Sequence, residues 1–145
     1  MPRQWTWGPR DPHSGGVKIP PVVQERIRLR ILAHAEKRYK GKYTLLDIRF
    51  RGSCCYIDAY QEPVVKPNWP PKDWGITREQ YIEDMRNSPT HLCRLRFFGK
   101  EDEWSLAFFT YSNEKYSPCA FRNGTFYGTP EEGFEVGATY LGVGQ

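Results

Sequence analysis

The stretch YTLLDIRFRGSCCYIDAY, residues 43–60, decides the fold. Apolar and polar side chains alternate on either side of Arg51-Gly52, the pattern of two half-buried strands joined by a tight glycine loop. With Arg51 and Gly52 as the loop, Phe50 pairs with Ser53, Ile48 with Cys55, Leu46 with Ile57 and Thr44 with Ala59. That register gathers the apolar side chains on one face. The other face then carries Tyr43 opposite Tyr60, Leu45 opposite Asp58, Asp47 opposite Tyr56 and Arg49 opposite Cys54.

Upstream, Val23, Ile27, Ile31 and Ala35 recur every four residues, joined by Leu32 and Tyr39, so a long helix is expected from Val22 to about Tyr39, with Gly41 as its stop. On the helical wheel Arg26, Arg30, His34 and Lys37 gather in one sector away from the Ile31 stripe. Residues 1–21 hold five prolines, three glycines, Trp5 and Trp7 with no period, and read as an extended arm.

Downstream, QEPVVKPNWPPKDWG (residues 61–75) combines four prolines with Trp69 and Trp74, a stiff aromatic excursion. Thr77 followed by Gln80 marks the start of a short helix that ends near Arg86, before Asn87-Ser88-Pro89. A second hairpin follows, His91 to Phe98 and Trp104 to Tyr111, in which Cys93, Leu95 and Phe97 alternate with Arg94, Arg96 and Phe98. Residues 116–127 read as a shorter, irregular hairpin around Arg122-Asn123-Gly124. Thr129-Pro130-Glu131-Glu132, with its cap and a Pro at the first helical position, opens a short closing helix that runs through Phe134 to Leu141, which Gly133 and Gly137 weaken unless they pack close to the sheet. Hairpins without strand-helix-strand alternation predict an α+β fold: an antiparallel sheet of two main hairpins plus the short one, with the three helices packed against it.

A chain of 145 residues, 39% hydrophobic and 15% aromatic, fits one core, here placed at residues 22–145 behind the arm. No run of eighteen apolar residues is present, and Cys54, Cys55, Cys93 and Cys119 lie in or beside strand-like runs as small hydrophobes rather than as a disulfide framework; a cytosolic protein is expected. Residues 1–60 hold twelve Lys/Arg against five Asp/Glu, and residues 61–145 hold nine against twelve, giving +7 and −3. Such asymmetry points to a polyanionic partner for the first half, or to two halves that neutralise each other in the fold.

Three sites follow. Arg49, Arg51, Tyr56, Tyr60, Arg94, Arg96 and Phe98 on the sheet, with Arg26, Arg30 and Lys37 on the helix, are the residue types that bind single strands, because cations hold phosphates while rings stack on bases. Trp69 and Trp74, with Trp5 and Trp7, are candidate anchors for a protein partner, or plugs for the domain's own edge. Asp47 and Asp58, diagonal neighbours about 7–8 Å apart in the register above, are the weaker candidates for a metal-dependent hydrolase or nuclease. His91 and Cys93 share a face in regular alternation, but no second close pair completes a zinc site. Glycine-rich phosphate loops and nucleophile elbows are absent, and no cofactor is implied. The expected function is a non-enzymatic module binding nucleic acid or a nucleoprotein complex, with a protein-only adaptor or inhibitor as the alternative.

Overall fold

The computed structural model describes residues 13–142. In chain order it comprises α1 (Pro21–Tyr39), β1 (Leu45–Arg51), β2 (Cys54–Tyr60), α2 (Arg78–Arg86), β3 (Thr90–Phe97), β4 (Trp104–Thr110), β5 (Lys115–Cys119) and α3 (Pro130–Gly137). Short 3-10 turns lie at Lys72–Trp74, ahead of α2, and at Ala138–Gly142, after α3. The five strands form one antiparallel meander in the order β1-β2-β3-β4-β5. The α+β reading holds. The short hairpin expected within residues 116–127 is not formed: β5 lies back on β4 instead, with Pro118 on the outer edge strand where a missing backbone donor is tolerated. The chain then turns at Phe121–Thr125, and Gly128 bridges to Trp104.

Helix α1 begins at Pro21, whose ring suits the first helical position, and buries Val23, Ile27, Ile31 and Ala35, the stripe read from spacing. Helix α3 starts with a full capping box: Thr129 Oγ1 accepts from the Glu132 amide and the Glu132 carboxylate accepts from the Thr129 amide. Both helices share one core with Ile48, Cys55, Ile57, Cys93, Leu95, Phe97 and Leu106 of the sheet. Gly133 and Gly137 do pack closely. A β-carbon on Gly133 would clash with Leu95 Cδ2, and one on Gly137 would sit 3.0 Å from the Leu92 backbone.

The end of the arm is tied to the sheet. Val17 N–H donates to Phe97 O, Ile19 N–H to Gly52 O, and Ile19 is fully buried. Trp5 and Trp7 lie outside the described residues.

The first hairpin differs from expectation by two residues. Its loop is Gly52-Ser53, not Arg51-Gly52, so Ile48 pairs with Ile57, Asp47 with Asp58 and Arg49 with Tyr56. Gly52 takes φ +59° at the first loop position while Ser53 is not left-handed, the arrangement of a II′ loop, which places its glycine first. A slip of two preserves which face each side chain takes and changes only its neighbours.

The second difference is a bulge. β3 carries one extra residue against β2: Ile57 pairs with Cys93, but Asp58 pairs with His91. Leu92 and Cys93 both enter the core, and His91 emerges on the opposite face beside Asp58. The expected His91–Cys93 pairing on one face is thereby broken.

Candidate functional site: the uncovered face of the sheet

The sheet face away from α1 and α3, uncovered in the sense that no helix among the described residues packs on it, is built as cross-strand rows. One row runs Arg49–Tyr56–Arg94–Ala107–Pro118 from β1 to β5. Its neighbour toward the hairpin loop runs Arg51–Cys54–Arg96–Ser105. On the other side lie Asp47, Asp58 and His91, then Phe109 paired with Tyr116. Ala107 is buried, and with so short a side chain at the centre the flanking rings and guanidinium groups meet across it.

Arginines and rings alternate in space. The Arg49 guanidinium lies 5.9 Å from the Tyr56 ring centroid and that of Arg94 lies 5.6 Å from Tyr116. The two tyrosines meet edge-to-face at 5.5 Å, and Phe109 meets Tyr116 at 5.2 Å. Each cation–ring contact contributes roughly 0.5–1 kcal/mol at such an exposed site. Burial pushes the Tyr116 phenol above its ordinary value, reinforced by the Asp58 charge, so it remains a neutral donor. Arg96 donates to Gly15 O and Ser53 Oγ, fastening the arm.

Beside the cations is a buried carboxylate. Asp58 is 1% exposed; its Oδ2 accepts from Arg49 at 2.9 Å and its Oδ1 faces His91 Nδ1 at 2.9 Å. Asp47 stands directly opposite Asp58 rather than diagonal to it, and Arg49 also donates to Asp47 at 3.1 Å. Directly opposed like charges repel, and the shared arginine offsets that repulsion. No group of three or more His, Cys, Asp or Glu able to hold a metal occurs among the described residues.

The residues expected to bind nucleic acid are therefore not brought together as one set. Arg49, Arg51, Tyr56, Arg94 and Arg96 share the uncovered face. Tyr60 lies at its edge opposite Leu45, and Phe98, just past β3, packs on Tyr127. Arg26 and Arg30 sit in the helical layer and are occupied. Arg26 makes a two-pronged bond to Glu101 at 2.9 and 2.6 Å, and Arg30 binds Glu131 and Asp102 at 2.7 and 2.8 Å. His34 and Arg38 approach Glu135 at 2.6 and 3.8 Å, while Lys37 is exposed and forms no ion pair among the described residues. The hydrogen bond from Arg26 holds the Glu101 carboxyl below its usual value. Desolvation pushes Glu131 upward, but the Arg30 hydrogen bond, with lesser contributions, leaves it low as well.

This accounts for part of the charge asymmetry. Part of the first half's excess, Arg26, Arg30 and Arg38, is matched by acids of the second half inside the helical layer. On the uncovered face, Arg51, Arg94 and Arg96 have no carboxylate ion pair among the described residues, and neither has Lys37 on α1.

The tryptophan excursion is a separate feature. Arg86 grips Glu62 at 3.1 and 2.6 Å, and Arg78 donates to the carbonyls of Lys66 and Trp69. Trp69 and Trp74 pack edge-to-face at 5.0 Å and Tyr81 adjoins Trp74, so the rings support each other rather than the main core. No residue of α2 is buried, Trp74 is 53% exposed and Val64 76%. A groove of about 490 Å³ separates this excursion from the end of the sheet, lined by Gln61, Val64, Met85, Pro89, Tyr111 and Tyr140 among others.

Sequence reasoning found the arginine-ring face and missed Tyr116, Phe109 and the Asp58–His91 pair. Tyr116 has the same alternation as Arg94, but no cue in the sequence assigns the strand after Tyr111 to the same sheet edge. No helix among the described residues is long and apolar enough to cross a membrane. Compared with protein-family models, curated proteins and solved structures, the chain has no significant match in any of the three.

Proposed function

We propose that the chain is a binding module that holds single-stranded nucleic acid, free or within a nucleoprotein complex, on the uncovered face of its sheet. One observation carries this reading. The arginines of α1 are paired with carboxylates within the fold, whereas Arg51, Arg94 and Arg96 have no carboxylate partner among the described residues, and Arg94 lies against Tyr116, which meets Tyr56. Unmatched guanidinium groups suit phosphates, and rings lying on a sheet suit stacked bases of any sequence.

The test is fluorescence anisotropy with labelled single-stranded RNA and DNA at low salt. Arg51→Ala with Arg94→Ala is the informative pair, because Arg49 also holds Asp58 and is left in place. Wild type should bind with an affinity that falls as salt rises. Removing one phosphate-binding arginine should flatten the log–log salt slope by about 0.7, and Tyr116→Ala should cost about 1–3 kcal/mol of binding if it stacks on a base. No binding at low salt, or equal binding by the double variant, rejects the reading.

A second reading is favoured by the exposed Val64 and Met85 lining the groove and by the exposed Trp74 elsewhere on the excursion: a protein partner docked there. It predicts a complex that Trp74→Ala removes and nuclease treatment leaves intact.

A further inference from the structure

Binding a strand does not require a carboxylate buried among the rings, and removing a charge from water is costly unless it is well paired. Asp58 is such a group, and its geometry is specific. Its Oδ1 faces His91 Nδ1 at 2.9 Å while Oδ2 accepts from Arg49 at 2.9 Å. An ionised carboxylate only accepts, so in the neutral ring Nδ1 carries the hydrogen and Nε2 presents the lone pair.

The ring is held on further sides. Phe109 lies 4.6 Å away, Tyr111 lies nearly parallel at 6.4 Å, and the His91 backbone N–H donates to Tyr111 Oη at 2.7 Å. Nε2 makes no hydrogen bond among the described residues and is not one of the buried unpartnered atoms, so it meets solvent. The His91 side chain is 34% exposed. A buried carboxylate that fixes the tautomer and orientation of an accessible imidazole is the arrangement of a general base.

The neighbourhood supplies a substrate class. Asp58 pairs with His91 and Tyr56 with Arg94, two steps along the strand, a spacing of about 7 Å. Base and cation therefore flank one short stretch of whatever lies across the face.

We propose that His91 is the general base of a metal-independent cleavage of single-stranded RNA on this face. The inference rests on the strand lying there, as proposed above. Nε2 takes the proton of a ribose 2′-hydroxyl, the 2′-oxygen bonds to the adjacent phosphorus, and the bond from phosphorus to the 5′-oxygen breaks. The departing 5′-oxygen takes a proton from water, and the imidazolium later returns its own proton to water. The products are a 2′,3′-cyclic phosphate and a 5′-hydroxyl; nothing is oxidised or reduced. Arg94 stabilises the charge that builds on the phosphoryl oxygens. Asp58 is a positioning residue. Because RNA brings its own nucleophile, no pocket is needed to hold an attacking water, which suits a face that is open rather than deep. DNA lacks the 2′-hydroxyl and stays intact.

The test incubates the full chain with single-stranded RNA and with DNA of the same sequence in EDTA, following cleavage by end-group analysis and binding by anisotropy on the same oligonucleotides. RNA should be cut to 2′,3′-cyclic ends and DNA left whole. His91→Ala should bind as wild type does, cleave about 100-fold or more slowly, and recover part of its rate when imidazole is added to the buffer. Should that variant fail to fold, His91→Gln takes its place, with the same loss of cleavage expected. RNA that is bound but stays intact, or cleavage that the His91 variant leaves unchanged, overturns the inference while the binding reading stands. Absence of binding to any single strand removes both.

Discussion

Arg30 on α1 and Arg94 on β3 are the same residue on the same small fold, and their surroundings are opposite. Arg30 is enclosed by Glu131 and Asp102, carboxylates from α3 and the β3–β4 turn. Arg94 lies over the Tyr116 ring with no carboxylate ion pair among the described residues. The helical layer uses its charge to assemble the protein, since its partners are far apart in sequence and meet only when the chain is folded. The uncovered sheet face keeps its charge for something outside. Net charge on a stretch of sequence is thus a poor guide to where a polyanion binds, and the residual after internal pairing is a better one.

Three substitutions sharpen that contrast. The largest effect belongs beneath both regions: Trp104 is fully buried against Phe97, and Trp104→Ala should cost about 3–5 kcal/mol in chemical denaturation. A loss under about 1 kcal/mol would show that the core is not where the fold places it. Next is Arg30→Ala, expected to cost about 1 kcal/mol because the network is only partly buried, with binding of single strands unchanged. It should also alter acid sensitivity. The folded-state carboxyls of Glu101 and Glu131 lie below their unfolded values, so their stabilisation is present above about pH 4.3 and is lost as pH falls through the lowered values. Removing Arg30 should raise the pH at which the protein begins to unfold, read by circular dichroism. The smallest stability effect belongs to Arg94→Ala, about 0.5 kcal/mol from the lost contact with Tyr116, although it weakens binding. If Arg94→Ala destabilised the fold more than Arg30→Ala, the contrast between the two layers would collapse.

Much of the fold was legible because several signals agreed. The Val23–Ile27–Ile31–Ala35 spacing, the Thr129 cap and the strand alternations each have a local cause in the residues themselves. The hairpin register was not legible to within two residues, since Gly52 can occupy either loop position and only its backbone angle distinguishes them. The bulge at Leu92 was hidden for a different reason. His91-Leu92-Cys93 reads as regular alternation, and only packing shows that Leu92 and Cys93 both enter the core and turn His91 outward. The Asp58–His91 pair exists because of that one extra residue. Likewise the fate of Arg26 and Arg30 depended on acids about seventy to a hundred positions away, which no periodicity connects.

The most direct test of binding on the uncovered face is an amide chemical-shift map recorded while single-stranded RNA is added to the folded protein. Shifts should concentrate on Arg49, Tyr56, Arg94 and Tyr116 of that face, with α1 around Arg26 and Arg30 unmoved. Shifts centred on α1 or on the excursion around Trp74, or no shifts at low salt, would contradict it.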